Sequence, residues 1–233
     1  MTIKALTFDV FGTTVDWRGS LIRQGEGFAR EKGIQVDWGA FADAWRAAYE
    51  PSMDRVRKGE LPWMNLDALQ RLSLESLLSQ FGLQLSEPDK DRLVRFWHGL
   101  DPWPDSVAGL ARLKQRFIVA TLSNGNIALL INMAKYGGLP WDCVLSAELA
   151  RRYKRDREVY DMAAALLGLE PSQVMMVAAH KNDLHAARQT GFKTAFVRRP
   201  LEWGETGKPD LAPEPAFNVN AEDFNDLANQ LGA

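Results

Sequence analysis

Four short polar clusters in this chain each follow an apolar run, and together they hold the side-chain types that nucleophilic displacement requires. Asp9-Val10-Phe11-Gly12-Thr13-Thr14 closes the run that begins at Ile3, and Ser123-Asn124-Gly125-Asn126 follows Phe117 to Leu122. Tyr153-Lys154-Arg155-Asp156 comes soon after Val144 to Ala147, and His180-Lys181-Asn182-Asp183 follows Val174 to Ala179. An ionised carboxylate such as Asp9 can attack as a nucleophile. An ammonium such as Lys154 within a few ångströms favours that ionised form. A second carboxylate, Asp183, can draw a proton from water, while Thr13, Ser123 and Asn124 supply donors. One such cluster carries little weight. Four in order are specific.

The elements that would position these clusters have two textures. Apolar runs rich in β-branched and aromatic residues, from Ile3, Phe117, Val144, Val174 and Thr194, with a weaker one at Phe217 to Val219, read as strands buried on both faces. Helical patterns separate them. Ile127 to Tyr136 stops at Gly137-Gly138, Val159 to Leu167 at Gly168 and Asp183 to Thr190 at Gly191, while Glu222 to Leu231 closes the chain. Alternation with short connections predicts a parallel sheet with right-handed crossovers, and such sheets bind ligands outside the carboxyl ends of their strands.

Residues 17–98 lack strand texture. Asp37, Asn65 and Ser86 stand where helix caps are needed, and Ser86 with Asp89 has the spacing of a capping box. So long a helical stretch exceeds a crossover. The expected fold class is α/β, a Rossmann-like parallel-sheet core over residues 1–16 and 99–233 with an inserted helical cap domain over 17–98.

The chain has 233 residues, 46% of them hydrophobic, and a net charge of -2 from 28 basic and 30 acidic side chains. That supports one good core with a smaller inserted unit. It offers neither a basic footprint for nucleic acid nor an apolar run long enough to span a membrane. The start lacks the layout of a signal peptide. The single cysteine, Cys143, excludes an internal disulfide, fits a reducing cytoplasm and is expected to be a buried packing residue.

Asp9-Val10-Phe11-Gly12-Thr13, Ser123-Asn124-Gly125, Lys154 and Asp183 together resemble the four ordered motifs of the haloacid dehalogenase superfamily, over nearly the whole chain. Phe8 to Arg18 and Val174 to Asp183 are most similar to its L-2-haloacid dehalogenase branch. Phosphatases of the superfamily carry a second aspartate two residues after the nucleophile, which protonates a poor leaving group. Phe11 stands there and donates no proton. Halide leaves as a stable anion, so the resemblance implies carbon–halogen cleavage with no metal and no cofactor.

The resemblance implies that Asp9 displaces halide from C2 of a short 2-haloacid, and that water hydrolyses the resulting ester to a 2-hydroxyacid of inverted configuration. Lys154 would hold Asp9 ionised, Asp183 would activate water and Thr13 would orient Asp9. Ser123 and the backbone N–H groups of Val10 and Phe11 would hold the substrate carboxylate, and Asn124 the departing halide. Arg46 resembles the branch's halide-binding cap arginine, and Tyr160 a tyrosine that supports Lys154 or Asp183. His180 occupies the place of an asparagine, in Ala178-Ala179-His180 rather than a Ser-Asn type of sequence, and could position water or donate towards halide.

Each position has a plainer reading. Lys154 could be a surface salt bridge, Asp183 the N-cap of a helix from Leu184, Ser123-Asn124-Gly125 a turn, and Tyr160 core packing. Trp17, Trp45, Trp63 and Trp97 would pack at the cap–core seam or a dimer surface, one or two of them walling the site. No nucleic-acid or membrane partner is expected, and a homodimer accords with the branch. The competing functions are a magnesium-dependent phosphatase of small metabolites and a non-catalytic binding protein on the same fold.

Overall fold

The chain is described by a computed structural model covering residues 2–233. Six strands make one all-parallel sheet. In chain order they are β1 (Ala5–Phe8), then β4 (Ile118–Ser123), β5 (Cys143–Ser146), β6 (Val174–Ala178), β7 (Lys193–Val197) and β8 (Val219–Ala221), after a short pair β2 (Val15–Asp16) and β3 (Asp101–Pro102). The spatial order is β5-β4-β1-β6-β7-β8. β1 lies between β4 and β6, with Phe8 beside Thr121 on one side and Val177 on the other. Strand order therefore reverses around β1, and the crevice beyond its carboxyl end is where such sheets bind ligands. Every residue of β1 and β6 is buried, as their unbroken apolar texture requires.

Helices α1 (Trp17–Lys32), α2 (Trp38–Ala47), α3 (Tyr49–Arg57), α4 (Leu66–Gln80) and α5 (Glu87–Arg95) fill the stretch without strands. The chain enters and leaves this stretch through the antiparallel β2–β3 ribbon, in which Asp16 faces Asp101. Helices α6 (Ser106–Leu113), α7 (Ile127–Gly137), α8 (Arg157–Leu167), α9 (Lys181–Gln189) and α10 (Phe224–Leu231) flank the sheet. Asp37, Asn65 and Ser86 each accept a hydrogen bond from a backbone N–H three residues on and start α2, α4 and α5. Only half of the capping box at Ser86 forms. The Asp89 carboxylate takes the Ser86 hydroxyl at 2.7 Å instead of reaching back to its N–H.

Two local expectations are corrected. Cys143 is half-buried, because it begins the edge strand β5, which is covered less well than the centre of the sheet. α9 begins at Lys181, two residues before Asp183, and its N-cap residue is His180, so Asp183 sits inside the first turn and caps nothing. Among the described residues no helix is long and apolar enough to cross a membrane.

Aromatic rings join the inserted helices to the core. Trp17, Trp45 and Trp97 are at most 1% exposed. Trp97 stacks on Trp17 with ring centroids 6.4 Å apart and meets Trp45 and Phe11 edge-on at 5.6 and 5.8 Å. Phe11 belongs to the turn after β1, so the seam between the two units passes directly beside Asp9.

Candidate active site

Asp9 is the first residue past β1 and only 6% exposed. Lys154 Nζ donates to its Oδ1 at 2.6 Å, and Thr13 Oγ1 donates to its Oδ2 at 2.7 Å. His180 Nδ1 lies 2.9 Å from the same Oδ2. The turn that presents Asp9 is closed by N–H groups of Thr14 and Val15 donating to the Val10 carbonyl. The N–H groups of Val10 and Phe11 have no acceptor among the described residues, which leaves two donors beside Asp9.

Lys154 is no surface lysine. Its ammonium bridges the two carboxylates, 2.6 Å from Asp9 Oδ1 and 2.5 Å from Asp183 Oδ2, and both acids are nearly buried. The backbone of its loop is fixed from both units. Lys154 N–H donates to Asn124 Oδ1 at 2.5 Å, and its carbonyl accepts from Arg57 Nη2 of α3 at 2.7 Å. Asp183 takes a second bond from the Tyr160 hydroxyl at 2.6 Å, and Tyr160 is fully buried.

The charges follow from this geometry. Burial opposes ionisation of Asp9, but the Lys154 ammonium and the His180 N–H outweigh it and hold the carboxyl far below the usual range. Burial likewise opposes the charge on Lys154, and the two carboxylates overcome it and push the ammonium above its ordinary value. Burial raises Asp183, and the Asp9 charge adds to the rise against the pull of Lys154, which makes Asp183 the more basic carboxylate.

A cavity of about 340 Å³ opens on this cluster, lined by Asp9, Phe11, Asn124, Lys154, His180 and Asp183 from the core and by Arg46, Tyr49 and Glu50 from the inserted helices. Arg46 closes it from the end of α2. Its guanidinium lies 4.5 Å from the Tyr49 ring centroid, 5.8 Å from Trp17 and 6.0 Å from Trp203. Its Nε is buried without a hydrogen-bond partner, and among the described residues Arg46 has no carboxylate partner. A half-buried guanidinium with an unpartnered Nε in an aromatic collar is a ready anion site. Among the described residues no three His, Cys, Asp or Glu side chains converge as a metal ion requires. Between Asp9 and Asp183 the cation is the lysine's own.

Not every nominated residue reaches the cavity. Ser123 is fully buried, and its Oγ accepts from the Gly125 N–H at 3.1 Å, so it shapes the turn that carries Asn124. Val10 is 1% exposed and offers only its backbone. None of Trp17, Trp45, Trp63 and Trp97 lines the cavity, whereas Trp203 does. Glu202, 3% exposed, was not nominated from sequence either, yet its Oε1 lies 2.8 Å from His180 Nε2. Both stand in the loop after β7. Extending the strand-end argument to that fifth strand would have found them.

A family model described as a haloacid dehalogenase-like hydrolase matches residues 3–191. The chain belongs to this family, in its L-2-haloacid dehalogenase branch. An (S)-2-haloacid dehalogenase of Burkholderia cepacia is 30% identical over 94% of this chain and 97% of that protein. The crystal structure of an L-2-haloacid dehalogenase superposes with a TM-score of 0.96 at 50% identity, covering 99% of each chain. That of a defluorinating L-2-haloacid dehalogenase gives 0.96 at 44%, covering 99% of this chain and 96% of the other. Within the branch, this member combines the Asp9–Lys154–Asp183 cluster with a histidine on its nucleophile.

Proposed function

We propose that this chain is a hydrolytic dehalogenase of short L-2-haloacids that works through an ester of Asp9. One observation carries the reading: an ionised, buried carboxylate faces an unpaired guanidinium across the cavity, with Phe11 where an acid for a poor leaving group would stand. Asp9 Oδ attacks C2, the O–C bond forms and the halide leaves with the bonding pair towards Arg46. Attack from behind the leaving group inverts C2, so an L-haloacid yields a D-hydroxyacid. The Val10 and Phe11 N–H groups take the substrate carboxylate. A water then adds to Cγ of Asp9, passing its proton to Asp183. The bond from Cγ to the ester oxygen breaks, and the hydroxyacid leaves with that oxygen and the proton returned by Asp183. Asp9 keeps the water oxygen and sheds the second proton to solvent, which restores the carboxylate.

Asn124 holds the Lys154 loop and faces the halide, and Tyr160 keeps Asp183 aimed at the water. No metal is needed in this scheme, because Lys154 and Arg46 supply the positive charge. A reducing cytoplasm and a homodimer accompany the reading as expectations. The defluorinating neighbour makes fluoroacetate a candidate substrate, although fluoride demands firmer anion stabilisation than chloride.

The test is halide release from chloroacetate and from each enantiomer of 2-chloropropionate, with EDTA present and Asp9→Asn in parallel. EDTA-resistant release from the L enantiomer alone, abolished by the substitution, is the expected result. Cleavage of a phosphate ester only with magnesium, without halide release, would make the chain a phosphatase. Binding without turnover, indifferent to Asp9→Asn, would make it a binding protein.

A further inference from the structure

We propose that His180 and Glu202 act on the second half-reaction: His180, held by Glu202, joins Thr13 in receiving the negative charge that develops on Asp9 Oδ2 as water attacks the ester. His180 is then a catalytic residue and Glu202 a positioning residue. The inference rests on the dehalogenase reading given above.

The two oxygens of Asp9 are not equivalent. Among the described residues Oδ1 has one donor, Lys154 Nζ, which keeps Asp183 at 2.5 Å as a second partner when Oδ1 moves away, and Oδ2 has two, Thr13 Oγ1 at 2.7 Å and His180 Nδ1 at 2.9 Å. The Thr13 hydroxyl is committed to donating there, since its oxygen accepts the Ala179 N–H at 2.9 Å. An oxygen whose lone pairs are engaged by two fixed donors is the poorer nucleophile. Oδ1 therefore forms the ester, and Oδ2 remains as its carbonyl oxygen with both donors in place. When water adds to Cγ, the electron pair of that carbonyl moves onto Oδ2. Preorganised donors at such distances are what an oxyanion requires.

His180 can serve only if Nδ1 carries a proton. Nε2 faces Glu202 Oε1 at 2.8 Å and needs a proton as well, so both nitrogens donate and the ring is an imidazolium. Burial works against that charge, but Glu202 and Asp9 outweigh it and push His180 up to about 10. In the ester Asp9 becomes neutral, and Glu202 is then the carboxylate that keeps the imidazolium charged. Glu202 is placed for this and little else. Among the described residues it has no Lys or Arg partner, and its Oε1 otherwise meets only Trp17 Nε1 at 3.4 Å. It reaches His180 across the face of Gly12, where an added Cβ would lie 2.2 Å from Oε1. His180 is the N-cap residue of α9 but makes no side-chain cap bond, so its ring is free for Asp9.

The experiment is rapid-quench halide release from L-2-chloropropionate by wild type, Glu202→Gln and His180→Asn, with intact-protein mass measured on each quenched sample. In both variants the first equivalent of halide should appear at close to the wild-type rate. Turnover should then slow by ~10²–10³-fold, as when an oxyanion donor is removed, while an ester adduct on Asp9 accumulates. The burst itself certifies that the variant is folded. Slowed first-turnover release without an adduct, or unchanged steady-state turnover, would overturn the inference alone. Absence of halide release from the wild type would overturn the dehalogenase reading beneath it.

Discussion

Asp9 is charged although only 6% of it meets solvent, because Lys154, Thr13 and His180 converge on it from three different elements. Burying a carboxylate alone costs several kcal/mol, a cost that the Lys154 ammonium at 2.6 Å chiefly offsets. His180 also makes stability depend on pH. Its folded-state value lies at about 10, above the ordinary 6.5, so its contribution is complete below pH 6.5 and lost as pH rises through about 10. The unfolding free energy of the wild type, read from urea titrations, should fall between pH 7 and pH 10.5, by on the order of 2 kcal/mol allowing for partial solvent contact of the ring. His180→Asn should flatten that alkaline limb, and an equal fall in the variant would assign the effect to other groups. Asp9, Glu202 and, through Asp9, Lys154 are the charges that face His180 in this comparison.

The segment from Arg151 to Asp156 shows how an element holds a reactive side chain. Arg151 and Arg155 have φ of 49° and 80°, a region that side chains disfavour, and they flank Lys154. Such strain persists where contacts over-determine the backbone, as Asn124 and Arg57 do here. Arg155 also pairs with Glu50 across the rim at 2.8 Å, both side chains well exposed. An exposed pair contributes ~0.5 kcal/mol, less than the ~1 kcal/mol released when glycine takes a left-handed position. Arg155→Gly should therefore raise the urea midpoint slightly while changing KM more than kcat, since the rim and not Asp9 is altered. A lower midpoint would mean that the ion pair outweighs the strain.

At the scale of the molecule, the cavity exists only because the inserted helices close over the sheet edge, and Trp97 is central to that closure. It is 1% exposed and touches Phe11, Trp17 and Trp45. Trp97→Ala should cost ~3–5 kcal/mol, as for other buried tryptophans, and should depress turnover by letting the two units separate. Trp63→Ala is the control, because Trp63 is half-buried and outside this cluster, and its loss should be much smaller. Denaturant unfolding with a catalytic assay below the transition reads both. Equal losses would remove Trp97 from the special place given to it.

The order of strands and helices, with the helical stretch between β1 and β4, was legible in the sequence, and so was the meeting of Asp9, Asn124, Lys154, His180 and Asp183 at one sheet edge. Buried parallel strands declare themselves by local texture, and their carboxyl ends must meet at one edge. Orientation and long-range approach were not legible. Ser123 turns inward to its own loop, and α9 starts at Lys181 with Asp183, the expected cap, inside its first turn and its carboxylate taken by Lys154 and Tyr160. Glu202 and Trp203 come to the site because Arg199 pins the loop after β7, donating to the Thr13 carbonyl and pairing with Asp105. The first of those contacts spans 186 positions and the second 94. Local sequence determines which element forms and what chemistry stands at its end. Only packing in three dimensions decided which distant carboxylate would face the histidine, because no periodicity along the chain encodes the path of a loop.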